Sequence, residues 1–163
     1  MSTALSIALI LALALGAVAG LRSMMVPAVL SWACQFGALD LMGSWLGFLA
    51  DPWAPWITGA LALVELVVDK LPATPSRKRP AGFVTRLVMG AVAGAAIGIA
   101  TGATAGWALA AVAAGVLGAV AGTFGGAAIR ARLSARLGRD RLAALIEDAV
   151  ALAAAVAIIA AVP

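Results

Sequence analysis

Apolar residues along this chain fall into long runs separated by short charged stretches. Residues 1–21 carry no charged side chain. A membrane-crossing helix needs roughly 20 apolar residues, and Ala4 to Gly20 supplies most of one. A cleaved leader would begin with basic residues, and Met1-Ser2-Thr3-Ala4 has none, so the pattern predicts a first span at 4–20. Residues 24–50 hold two shorter apolar runs, Met24–Phe36 and Leu41–Ala50, interrupted by Pro27, Gly37, Asp40 and Gly43. At about 1.5 Å per residue neither crosses a ~30 Å hydrocarbon core. The expectation is a re-entrant or interfacial segment, with one bent extra span as the alternative. Asp51-Pro52-Trp53-Ala54-Pro55-Trp56 reads as a helix start at headgroup level, since Pro suits a first turn and Trp the interface. A second span is predicted at 56–71, ended by Pro72, Pro75 and Pro80 in a basic loop at 72–81.

Residues 87–129 then run for 43 positions without a charge. That is too long for one pass and right for a hairpin turning at Thr101-Gly102-Ala103-Thr104-Ala105-Gly106. Spans at 82–101 and 106–129 follow, then a basic loop at 130–141 and a last span at 142–162. The fold class expected is an all-α polytopic integral membrane bundle of about five transmembrane helices plus the 24–50 segment, in one domain covering 1–163.

Composition agrees and narrows the chemistry. The chain is 64% hydrophobic and 11% charged, with a mean hydropathy of +1.12. Soluble domains run about 45–50% apolar and about 25% charged, so a soluble enzyme or a nucleic-acid-binding domain is excluded. There is no His, and Cys34 is the one Cys. His-ligated haem, zinc–His sites, Ser-His-Asp triads and intrachain disulfides are therefore out of reach. No cofactor is expected; a metal would need oxygen ligands, which suits a hard cation.

The basic residues set the expected orientation. Five lie in 70–86 and another five in 130–141, out of eleven Lys and Arg in all. These stretches flank the 87–129 hairpin, so both loops, 72–81 and 130–141, are expected in the cytoplasm. Five spans put the N-terminus inside; a crossing at 24–50 moves it outside.

Leu15-Gly16-Ala17-Val18-Ala19-Gly20 recurs as Leu117-Gly118-Ala119-Val120-Ala121-Gly122. Glycines four apart let helices approach closely in lipid. The echo reads either as a shared packing need or as an inverted repeat of the kind transporters use. The glycine faces also suggest a homodimer.

Charges inside apolar runs cost about 2.5–3.5 kcal/mol at helix centre and less near the ends. Glu65 and Asp69, four apart, share one face of the second span. Glu65 lies five residues before Lys70 and Glu147 six after Arg141, so both sit roughly 7–9 Å inside the basic end. If these spans pack together, Glu65, Asp69, Glu147 and Asp148 converge, and they then require protonation, a cation or arginine partners. Arg86 is the nearer candidate partner; Arg22 is a second, although five spans place it at the opposite end of its helix. Arg77, Lys78 and Arg79, in a Pro-bounded loop, are candidates for binding anionic lipid headgroups.

Gly20-Leu21-Arg22 with Pro27, the string Glu65-Leu66-Val67-Val68-Asp69-Lys70-Leu71-Pro72 with Pro75 and Arg77, the glycine-rich hairpin, and Leu145-Ile146-Glu147-Asp148-Ala149 resemble a bacterial membrane family, domain of unknown function 4126. The resemblance covers nearly the whole chain. It implies a small polytopic inner-membrane protein and no assigned activity. From the residues themselves, the first expectation is a small transporter or channel for a cation or protons using the carboxylates. The alternative is a non-transporting lipid-binding or scaffold protein using the basic loops. Acid–base groups without a nucleophile or metal motif speak against an enzyme. Membrane lipids and a second copy of the chain are the expected partners, and no nucleic acid.

Overall fold

The computed structural model describes residues 3–70 and 80–163. Arg77, Lys78 and Arg79 lie outside the described residues. The described chain forms six α-helices: α1 (Thr3–Leu21), α2 (Met25–Gln35), α3 (Ala54–Val68), α4 (Pro80–Ala100), α5 (Ala105–Leu137) and α6 (Asp140–Ala160), with a 3-10 turn at Gly47–Ala50. Among the described residues α4, α5 and α6 are long and apolar enough to cross a membrane, and the apolar α1, α2 and α3 are shorter. The protein is a helical membrane bundle.

The turn between α4 and α5 falls where the sequence places it, with Gly102 at φ +61. The basic stretch 130–141 differs from its expectation. It is not a loop, because α5 continues to Leu137 and stops only at Gly138, whose φ of +64 is the left-handed conformation that glycine adopts at no steric cost. At 33 residues α5 is about 50 Å long and outruns a ~30 Å core. Its last turns carry Arg130, Arg132 and Arg136, where charge costs little. In the 24–50 segment, α2 has 11 residues and rises only about 16 Å; irregular backbone and the 3-10 turn make up the remainder.

Helices α1, α4 and α5 pack backbone to backbone. A Cβ on Gly16 would collide with the Gly115 carbonyl, one on Gly115 with the Gly90 carbonyl, and one on Gly94 with the Ala111 carbonyl. Only glycine permits these approaches. The contacts also fix direction. Gly16 meets Gly115 and Gly20 meets Ala119 and Gly122, so α1 and α5 run parallel; Gly90 meets Gly115 and Gly94 meets Ala111, so α4 and α5 are antiparallel.

The two echoed segments therefore lie against each other in parallel. An inverted repeat would make them antiparallel, so the structure corrects that expectation: the echo is the two faces of one packing interface. Gly16, Gly20, Gly90, Gly94, Gly115, Gly118 and Gly122 make these close approaches within a single chain.

Parallel packing also sends the C-terminal end of α1 to the same end as the C-terminal end of α5. Arg22 accordingly sits at the basic end, not the opposite one. The short α2 runs away from that end and α3 returns to it. This is why an odd count of spans misplaced Arg22.

The other half of the bundle is looser. Helix α3 packs on α2 and on the 3-10 turn, while α6 packs on α5, α1 and α2; among the described residues α3 and α6 make no extensive contact with each other. Between them, over α2, lies an apolar cleft of about 810 Å³.

Candidate functional site

At the basic end the helices carry ionisable side chains inward. Arg86 lies six residues into α4 and Asp148 eight residues into α6, or roughly 9–12 Å from the helix starts. Arg22 is at the hub and is fully buried. Its Nη1 pairs with Asp69 Oδ2. Its Nε donates to Asp148 Oδ1 at 2.7 Å, and Nη2 lies 2.7 Å from the same oxygen and 3.7 Å from Glu147 Oε2. The planar guanidinium, with five N–H donors in a fixed fork, thus joins α1 to α3 and α6.

Asp148 is shared. Its Oδ2 accepts from Lys70 Nζ at 2.6 Å, and Lys70 also donates to the Leu66 carbonyl at 2.8 Å. Arg130 completes the ring from α5. Its Nη1 lies 3.7 Å from Asp69 and 3.6 Å from Glu147, and its Nε and Nη2 hold the exposed Asp140 at 3.2 and 2.8 Å. The network reaches from buried Asp148 to the surface.

Glu65 does something different. Its Oε1 accepts from the Ser23 amide at 2.9 Å and the Ser23 hydroxyl at 2.7 Å, and its Oε2 from the Met24 amide at 2.8 Å. Helix α2 has no side-chain cap of its own. A carboxylate from α3 therefore caps it, satisfying amides at the positive end of the helix dipole. Arg86 answers from the other side. Its Nη1 donates to the Gly20 and Leu21 carbonyls at 2.7 and 2.8 Å, the last ones of α1, and its Nη2 lies 3.9 Å from Glu65. The buried turn at 22–24 is thus held at both helix ends by charged side chains from elsewhere in the chain.

The structure brings together all four carboxylates singled out in the sequence, Glu65, Asp69, Glu147 and Asp148, along with Arg22 and Arg86. Sequence reasoning missed Lys70 and Arg130, counting both only among the basic residues that set orientation, Lys70 at the end of the second span and Arg130 at the start of a loop. Lys70 directly follows Asp69, and Arg130 directly follows the uncharged stretch 87–129, so each stood one residue from a feature already noted. With them, these four carboxylates and Asp140 meet four cations within this network of described residues. Where a bound hard cation was one way to relieve the carboxylates, guanidinium and ammonium groups stand between them. Among the described residues no group of three or more acidic, Cys or His side chains is arranged to hold a metal.

Residues 9–162 match the family described as "Domain of unknown function (DUF4126)", and the chain belongs to that family. No curated protein and no solved structure matches the chain.

Proposed function

We propose that this protein is a small membrane transporter that moves protons, with Asp148 as the exchanging group and the basic end facing the cytoplasm. The observation that carries the reading is the sharing of buried Asp148 between Arg22 and Lys70 at the basic end, where ion pairs link the end of α3 to α6. A metal cation would need several oxygen ligands, and Arg22, Lys70, Arg86 and Arg130 already stand against the carboxylates. A proton needs one oxygen. When α3 moves away from α6, Lys70 leaves Asp148, and that oxygen is free to take a proton from water on one side; on return, Lys70 displaces it, and transport requires that proton to leave to water on the other side. Ammonium and proton exclude one another, and that exclusion couples protonation to helix position. Intramembrane carboxylates at such junctions are functional candidates by default. The orientation rests on the positive-inside rule applied to the basic stretches.

The test is proton flux in vesicles with a pH dye inside, for the unaltered chain, Asp148→Asn and Arg132→Gln. Flux above empty vesicles, lost at least tenfold in Asp148→Asn and kept in Arg132→Gln, supports the reading. Absence of flux from the folded unaltered chain, or flux retained in Asp148→Asn, overturns it.

A further inference from the structure

The ion-pair network leaves the α2–α3–α6 cleft unused. Its volume of about 810 Å³ lies within the range of small-molecule sites, roughly 300–1,000 Å³. Every side chain lining it is apolar: Met25, Ala33 and Trp32 on the α2 floor, Gly59 and Leu66 on α3, Val156 on α6, with others between them. It follows the helix axes from Met25 to Phe36, about 16 Å. Trp56, Leu63 and Val156 line it while more than half exposed, so it opens sideways toward whatever surrounds the bundle.

The two ends differ. One is bounded by aromatic rings, with Trp32 packed edge-on to Trp56 at 5.3 Å and stacked on Phe36 at 5.5 Å. The other meets charge. Leu66, a lining residue, gives its carbonyl to Lys70 Nζ, and Leu152, also lining, lies one turn beyond Asp148. An ammonium has three protons; two go to Leu66 and Asp148, and a quarter of the Lys70 side chain is exposed. The same end of the bundle carries Arg132, Arg136, Arg139 and Arg141, all exposed.

We infer that this cleft binds one anionic phospholipid, with an acyl chain along α2 between α3 and α6 and the phosphate at Lys70. The polarity profile carries the assignment: hydrocarbon over the whole length, cationic at one end only, open to the bilayer. An apolar helix from a second copy would fit the walls but has no use for the charged end. Packing does not restrict the glycine on the cleft wall, since a Cβ on Gly59 would meet only Trp32 Nε1, at 3.8 Å. A larger side chain there projects into the space without moving backbone.

The test uses Trp32 and Trp56 as reporters in a chain carrying Trp45→Phe, Trp53→Phe and Trp107→Phe, in phosphatidylcholine vesicles doped with chain-brominated phosphatidylglycerol. Occupancy predicts quenching that saturates at low mole fraction of brominated lipid. Gly59→Leu and Val156→Phe should each raise the half-saturating fraction at least fivefold, and Lys70→Gln should bring the preference over brominated phosphatidylcholine close to one. Quenching linear in mole fraction and unchanged by the filling substitutions overturns the site. Unchanged headgroup preference in Lys70→Gln overturns the place given to the phosphate. If the reporter chain does not fold, native mass spectrometry of the unaltered chain from the same vesicles decides. A retained phosphatidylglycerol lost in Gly59→Leu supports the site, and equal retention overturns it. A dimer that Gly59→Leu converts to monomer, with no lipid retained, assigns the cleft to a second copy instead.

Discussion

Between α1, α4 and α5 the backbones come so close that a methyl group on Gly16, Gly94 or Gly115 has no room. Between α3 and α6 there is a cleft, and the ties described across it are ion pairs at the basic end. Both halves are apolar and both are helical. They differ in how contact is made. Close backbone packing is fixed by shape along the whole helix and cannot be undone in steps. Ion pairs gathered at one end form a local clasp, and it is set by the charge state of its partners. The tight half is suited to hold geometry, and the clasped half to change it.

The largest effect should come from breaking the tight half. Gly115→Leu drives a side chain into the α4 backbone at Gly90 and Gly94, and a loss above about 4 kcal/mol is expected, beyond the usual range for overpacking. Thermal unfolding in detergent reads it; a folded, near-native variant would contradict the packing. Next is the hub of the clasp. Arg22→Leu leaves Asp69, Glu147 and Asp148 facing one another without their shared cation, an expected loss of about 3–5 kcal/mol. Arg22→Lys should recover little, because an ammonium cannot present the planar fork. Denaturant titration of both variants measures this. Smaller is Glu65→Ala, which removes the carboxylate cap on α2 and should cost about 1–2 kcal/mol, with amide exchange rising first at Met24 and Met25. The smallest has the opposite sign. Gly59→Leu on the cleft wall removes a helix glycine where there is room, and should leave stability unchanged or raise it by up to about 1 kcal/mol. A glycine that tolerates leucine in one half and a glycine that does not in the other would separate the two kinds of packing within one chain.

Much of the bundle was legible. The uncharged run 87–129 and its Thr101–Gly106 turn gave α4 and α5, because length and glycine chemistry are local properties. Helix rise put Glu65 and Glu147 at one depth; convergence was expected only if the second and last spans packed together, whereas α3 and α6 flank a cleft and their carboxylates meet through Arg22 and Lys70. The level of Arg22 did not follow, since it depends on whether α2 and α3 together count as a return passage. One signal pointed the right way: Arg22 was the single basic residue left out of the two stretches that hold the other ten. The trans cap from Glu65 to Ser23 and Met24 was beyond reach, because it joins backbone amides to a side chain 41 and 42 residues away. The cleft was hidden for a similar reason. Which apolar faces fail to meet is a property of the assembled bundle, and α3 and α6 carry no sequence mark that they stay apart.

The clasp itself is most directly tested by distance. In a Cys34→Ser background, spin labels at Leu61 on α3 and Val150 on α6 report the separation across the cleft. Labels at Val88 on α4 and Leu117 on α5 report the tight half; all four positions are well exposed. Pulsed electron resonance in lipid discs would compare the unaltered network with Asp148→Asn. The account predicts that the α3–α6 distance lengthens and broadens while the α4–α5 distance stays fixed. An α3–α6 distribution that does not respond to Asp148→Asn would contradict it.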